Sequence, residues 1–425
     1  MLTFGCNDDG QLGRGEKKKP SNTSIDGVSS SHQPQQVDAL RGLDVVMISC
    51  GSRHTLALTA DGEVFSWGWG QMGQLGHENH KNLNLPTKIQ FFADHKIKVA
   101  FISAGGCHSG AITDKGQVYM WGEAHWGQLG LSADFKELHQ ATPVLCKVLP
   151  ANSTDKIISL SCGGTHTVAL SGTSIKPYIS MISPTCVPEQ GHVYTWGRRD
   201  NGQLGLGRKW LHLEIETDGA SSFTPTRIDP AQFGNEKVVQ VSAGAFHTAA
   251  VTETGAVFTW GKEDYGMLGV GHTADIHKPR KVTLFDSEPA IRVSCGGWHT
   301  AVVTRSGDAY VFGRGEYGRL GLGDTRCHAT PIKVSALSDH TIVEVACGGT
   351  HSLFLTAKGQ AFSCGRADHG RLGNEEVKKF CVVPEGIQET NLGSVPVIQV
   401  STGGAHSSCL LHSSRPVASS QSLLA

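Results

Sequence analysis

The stretch IRVSCGGWHTAVVTRSGDAYVFGRGEYGRLGLGDTRCHATPIK, residues 291–333, holds one complete structural unit. Ile291 to Cys295 alternates apolar and polar residues as a strand does, Gly296-Gly-Trp-His299 turns the chain, and Thr300 to Thr304 is a second strand. Arg305-Ser-Gly-Asp308 has hairpin chemistry. Ala309 to Phe312 then gives a third strand, Gly313 to Gly323 a glycine-rich loop, and Thr330 to Val334 a short fourth strand whose proline suits an edge. This is a four-stranded antiparallel blade.

The unit recurs. Its Gly-Gly-Xaa-His-Thr/Ser motif, or a close variant, carries His54, His108, His166, His247, His299, His351 and His406. A second motif, aromatic-Gly followed by Gly-Gln-Leu-Gly or a relative, begins at Phe4, Trp67, Trp121, Trp196, Trp260, Phe312 and Cys364, in five cases 13 residues after the preceding histidine. Blades of short strands cannot bury both faces alone and must stack around an axis. The expected fold is all-β: a seven-bladed β-propeller of four-stranded antiparallel blades in a single domain, residues 1–411. Val397 to Leu411 lacks a downstream aromatic-Gly partner, while Leu2 to Gly5 lacks an upstream histidine. Each supplies what the other lacks, so N- and C-terminal strands are expected to share one blade and close the ring.

Of the 425 residues 39% are hydrophobic and 18% charged, with 53 glycines and a formal net charge of −1, a turn-rich globular composition without bulk attraction for nucleic acid or an acidic membrane. No apolar run is long enough for a spanning helix. Cys50, Cys162, Cys295 and Cys347 occupy one slot, four residues before a repeat histidine, and so lie in different blades. That spacing argues against disulfides and against a zinc site, and no metal or cofactor is expected. Because the chain enters its first motif at Phe4, it is read as not secreted, and an intracellular location, cytoplasmic or nuclear, is expected.

With seven such histidines and the Gly-Gln-Leu-Gly loops in phase, the chain resembles the regulator of chromosome condensation repeat family. That resemblance implies a propeller and a choice of roles: an exchange factor for a Ran-type small GTPase, an ultraviolet-B photoreceptor, or a protein-binding module. The exchange factor's wedge, a lengthened loop after one aromatic-Gly pair, has no counterpart in loops that keep six-residue spacing from Phe4-to-Gly10 through Cys364-to-Gly370. The photoreceptor's tryptophans would fall at Ser52, Gly106, Gly164, Ala245, Gly297, Gly349 and Gly404, which makes light sensing the least favoured role. Gly313-Arg-Gly-Glu-Tyr-Gly318 and Gly68-Trp-Gly-Gln-Met-Gly73 match a dinucleotide pattern but lead into no helix. No bond-making chemistry is expected.

Strand alternation puts the histidine turns and the Gly-Gln-Leu-Gly loops on one face. There Arg198, Lys262, Arg314 and Arg366 follow the aromatic-Gly pair in four successive blades, with Asp200, Asp264, Glu316 and Asp368 two positions later. Trp126, Tyr265, Tyr317 and His369 occupy the next position, and Phe246 and Trp298 come from histidine turns. Arginine with aromatics is the composition of interface anchors, and solvated loops with local ion pairs are the alternative. The seven histidines, repeated in every blade, are read as structural, half-buried and bonded to their own turns. Three long loops, 16–33 (with Lys17-Lys-Lys-Pro20, a weak import signal), 171–190 and 208–223 (with Trp210, Leu211 and Leu213), interrupt the ring, and a Ser-rich tail, 412–425, reads as disordered. The function expected is a non-enzymatic protein-binding scaffold in small-GTPase regulation, with guanine-nucleotide exchange on a Ran-type small GTPase as the alternative.

Overall fold

The computed structural model describes residues 1–15, 30–132, 134–135, 137–150, 153–173, 190–207, 221–272, 274–374, 379–387 and 395–412. Seven four-stranded antiparallel sheets form a β-propeller. Ala290–Cys295, His299–Thr304, Ala309–Gly313 and His328–Lys333 make one blade, the fourth strand starting two residues earlier than its proline suggests. Numbering from Val45, the first strands of blades 1 to 6 begin at Val45, Val99, Lys156, Val238, Ala290 and Ile342.

Blade 7 closes the ring. Its inner strands, Val397–Thr402 and His406–Leu411, come from the end of the chain and its outer strands, Leu2–Cys6 and Ser30–Gln36, from the beginning. Leu2 pairs with Cys409 and Phe4 with Ser407. The closing contact is thus with His406–Leu411, and Val397–Thr402 reaches the N-terminal strand only through it.

Two cyclic systems of hydrogen bonds explain the Gly-Gly-Xaa-His motif. In the first, the Gly106 N–H donates to Gly163 O at 2.9 Å and Gly164 to Gly244 O at 3.0 Å, and the step repeats round to Gly404, which reaches Ser52 O at 3.0 Å. Glycine is needed for approach: a Cβ on Gly106 would lie 2.4 Å from Gly164 O. In the second, each histidine Nε2 meets the hydroxyl that follows the next blade's histidine, from His54 to Ser109 at 2.8 Å round to His406 and Thr55 at 3.0 Å.

Those hydroxyls donate onward to a loop carbonyl of the histidine's own blade, Thr300 to Met267 O and Thr248 to Gln203 O, both at 2.8 Å. A hydroxyl has one proton, so the imidazole must donate from Nε2 and is the neutral tautomer. All seven rings are fully buried and their Nδ1 atoms have no hydrogen-bond partner. Burial therefore pushes the imidazoles down, to about 3 at His54, His108, His166 and His247 and to about 4 at His406. These are blade-to-blade ties, not the half-buried caps of their own turns that the sequence suggested.

Trp67, Trp121, Trp196 and Trp260 fill the seams between blades and donate Nε1–H to the same loop carbonyls, at 2.8–2.9 Å. The motif cysteines Cys50, Cys162, Cys295 and Cys347 are buried free thiols. Each outer strand carries a proline, Pro34, Pro86, Pro143, Pro225, Pro279, Pro331 or Pro384. That removes one N–H from every exposed edge.

The long loops are shorter than their sequence bounds: Ser30–Gln36, Ser171–Gly172 and Ser221–Phe223 belong to strands. The rest of the three insertions, residues 16–29, 174–189 and 208–220, and the tail from 413, lie outside the described residues. No described helix is long and apolar enough to cross a membrane.

Candidate functional site

The two loop sets do emerge together. Within each blade the residue after the aromatic-Gly pair donates its N–H to the carbonyl just before the repeat histidine: Arg198 to Thr165, Lys262 to Phe246, Arg314 to Trp298 and Arg366 to Thr350, at 2.9–3.1 Å. This stitch fixes where each basic side chain leaves the backbone.

All four bases close an ion pair within their own loop. Arg198 meets Asp200 at 2.6 Å, Lys262 meets Asp264 at 2.9 Å, Arg366 meets Asp368 at 2.5 Å, and Arg314 meets Glu316. Each base also lies over an aromatic ring, usually one from the preceding blade. Arg198 sits 4.4 Å from the Trp126 ring, Arg314 4.6 Å from Tyr265 and Arg366 4.9 Å from Tyr317. Lys262 lies 5.5 Å from Phe246 in its own blade and 5.4 Å from Trp298 in the next. Phe246 and Trp298 are themselves 4.9 Å apart, and Tyr265 meets Trp298 edge-on at 5.9 Å. The result is a ladder of ring, base and acid from blade 2 to blade 6. An exposed cation–ring contact contributes about 0.5–1 kcal/mol, and a surface ion pair about the same or less. The ladder therefore orders side chains more than it holds the fold together.

His369 is the rung without a base, because blade 7 presents Cys6 where blades 3 to 6 present arginine or lysine. Tyr265, Tyr317 and His369 all have φ near +60°. They occur where the loop glutamine is replaced by Met267, Arg319 or Arg371. In the other blades that glutamine accepts from the N–H two residues earlier, as Gln128 does from Trp126 at 2.8 Å, and no left-handed residue is found there.

Several residues of this face escaped the sequence reading. In blade 1 the slots are exchanged: the base is Arg53, in the histidine turn, and the ring is Trp69, after the aromatic-Gly pair. Arg53 lies 5.1 Å from the Trp69 ring and 2.6 Å from Asp9. Arg319 and Arg371, in the glutamine slot, are buried and reach the central turns, Arg319 to Gly349 O at 3.3 Å and Arg371 to Thr350 Oγ1 at 2.8 Å. Burial, aided by the neighbouring Arg314 and Arg366, pushes both guanidinium groups down to about 10. The slot comparison that exposed the cysteines would have exposed these too.

With this geometry in place, the relatives are informative. The RCC1-like domain matches residues 1–409. The chain is 33% identical over 376 residues to the ultraviolet-B receptor UVR8 of Arabidopsis thaliana, covering 88% of this chain and 74% of that one. It is also 33% identical over 325 residues to the E3 ubiquitin-protein ligase HERC2 of Homo sapiens, covering 76% of this chain but spanning only 6% of the ligase. Among solved structures, Prp20p from Saccharomyces cerevisiae, described with its binding to Gsp1p and histones, superimposes with a TM-score of 0.77, at 24% identity over 97% of this chain and 92% of that one.

Proposed function

The chain belongs to the RCC1-like domain family, and on that premise we propose that it is a non-enzymatic scaffold that docks a protein partner on its loop face. The observation that carries this reading is the ladder. Trp126, Arg198, Asp200, Phe246, Lys262, Asp264, Tyr265, Trp298, Arg314, Glu316, Tyr317, Arg366 and Asp368 contact one another through ion pairs and ring contacts with no partner present. Ordering long side chains in advance lowers the entropy cost of binding. His369 completes the face at its blade 7 end. The buried free thiols are in keeping with a reducing, intracellular setting.

The second reading is exchange activity on a Ran-type small GTPase. It is supported by the family resemblance and by Prp20p, whose described partner is Gsp1p. Light sensing is disfavoured, because the positions that would carry tryptophan hold six small residues and Ser52 against the close-packed central turns. Release of labelled guanine nucleotide from a panel of small GTPases, with this protein at substoichiometric amounts, separates the two main readings. Multiple-turnover release from one GTPase makes it an exchange factor, and no acceleration across the panel leaves the scaffold. In either case, replacing Trp298, Arg314 and Arg366 with alanine weakens partner capture while the melting temperature moves by only a few degrees. Loss of folding in that variant would refute the assignment of the face.

A further inference from the structure

We propose that the loop face takes a basic segment of its protein partner, whose lysine or arginine side chains meet an arc of carboxylates running from blade 3 to blade 7. The proposal rests on the loop face being the docking surface and adds the chemistry of what docks there. The position four residues after the start of the second motif holds Asp200, Asp264, Glu316, Asp368 and Asp8 in five contiguous blades. The bases that follow the aromatic-Gly pair, Arg198, Lys262, Arg314 and Arg366, are drawn inward, between their own carboxylate and an aromatic ring. Arg198, Lys262 and Arg314 keep 27%, 29% and 28% of their side-chain exposure, against 36%, 42% and 42% for Asp200, Asp264 and Glu316. In the last pair, Arg366 and Asp368, the exposures are level. Asp8 meets no base from the slot that supplies Arg198, Lys262, Arg314 and Arg366. Two residues before it stands Cys6, whose thiol donates to Asp8 Oδ2 at 3.3 Å. At the pairs of blades 3, 4 and 5 an approaching surface thus meets carboxylate oxygens ahead of the cations paired with them, with Arg199 beside the first, and this favours a positively charged partner.

Glu263, in the same loop as Lys262 and Asp264, is an independent sign. It is only 9% exposed; Oε2 accepts from the Leu268 N–H at 3.1 Å, and Oε1 has no hydrogen-bond partner. In blade 7 the same slot holds Asn7, whose neutral Oδ1 accepts from Leu12 at 3.0 Å. An amide therefore suffices to hold this loop, and the acid at Glu263 is more than the fold requires. Asp264 and Asp275 lie beside it, and the neighbouring Lys262 is committed to Asp264 at 2.9 Å. Burial first, and these two carboxylates after it, push Glu263 up to about 7. Among the described residues no three carboxylate, imidazole or thiol groups converge as metal ligands. Because Oε1 is itself buried, a partner's ammonium or guanidinium group would sit at the exposed Asp264 and act on Glu263 through space.

The test uses the full chain and three synthetic nonapeptides, one lysine-rich, one glutamate-rich and one of glycine and serine, titrated at low salt by calorimetry. The lysine peptide is expected to bind and the other two not. Asp264→Asn with Glu316→Gln should weaken binding about tenfold. Glu263→Gln should weaken it further, while Asp114→Asn, on the opposite face, leaves it unchanged. The carboxyl carbon of Glu263, followed by NMR, should titrate about one pH unit lower with the lysine peptide bound. Equal binding of the acidic and basic peptides, no binding of the lysine peptide, or arc variants that bind as well as the parent would each overturn the proposal. If the Trp298, Arg314 and Arg366 variant loses its partner while the lysine peptide fails to bind, the docking face stands and only the basic partner falls.

Discussion

Lowering the pH from 7.5 to 5.5 should destabilise this protein steeply, because the histidine belt can enter the folded state only uncharged. Unfolded, a histidine titrates near 6.5; folded, His54, His108, His166 and His247 are held near 3, His406 near 4, and His299 and His351 well below the usual value. Between those limits the unfolded chain binds more protons, so stability is intact above about pH 6.5 and is lost as the pH falls toward the folded values. At pH 5.5 about nine-tenths of each unfolded imidazole is protonated, so the belt takes up about six protons on unfolding. Glu263 works the other way. It is held up near 7 in the folded protein and returns to the ordinary carboxylate range on unfolding, releasing about one proton. The net uptake is about five protons at pH 5.5 and less than about one at pH 7.5. Summed over the seven sites and two pH units, the belt loses on the order of 9 kcal/mol, comparable with the whole stability of an ordinary domain. The assay is rapid dilution into guanidinium chloride in weak buffer with a pH-indicator dye, which counts protons directly. A net uptake below about two at pH 5.5, or the same denaturant midpoint at both pH values, would refute the neutral belt.

Two substitutions probe the belt itself. Thr300→Val strands both the His247 Nε2–H and Met267 O, and should cost about 2–4 kcal/mol by chemical denaturation. Thr248→Val should cost about 1 kcal/mol less, because Gln203 O keeps the Trp260 indole at 2.9 Å; equal losses would mean the shared carbonyl has no such role. Gly106→Ala places a methyl 2.4 Å from Gly164 O and should lower stability by about 1–3 kcal/mol, whereas Gly386→Ala, whose nearest atom is 3.8 Å away, should stay within about 0.5 kcal/mol. Similar melting temperatures for these two variants would remove close approach as the reason for the motif glycine.

The seven blades were legible because histidine, glycine and aromatic positions repeat in phase, and a closed ring needs little more. Side-chain partners were not, because each belt bond runs between blades across more than 50 residues of sequence, and most ladder contacts also join residues of different blades. His247 finds Thr300, and Arg314 finds Tyr265, only once the ring has set neighbouring turns side by side. The exchanged slots of Arg53 and Trp69 were hidden by looking for bases in one column alone. The loop bounds 16–33 take in Ser30 to Gln33 because this polar sequence has no apolar alternation; Ser30–Gln36 is a strand by virtue of pairing with Leu2–Cys6. The ladder residues foreseen as a group do lie on one face, and their arrangement as alternating rings, bases and acids is what the structure adds.

Blade 7 also sets a clock on biosynthesis. Leu2–Cys6 is buried along its whole length, and its inner partner, His406–Leu411, is translated about 400 residues later. At about 5–20 residues per second, the first strand waits roughly 20–80 seconds on the ribosome before its partner emerges. Blades 1 to 6 can stack one on another as they emerge, but the seam between the two ends cannot form. During that interval the apolar strand lacks its partner, and the ring closes only after His406–Leu411 has emerged.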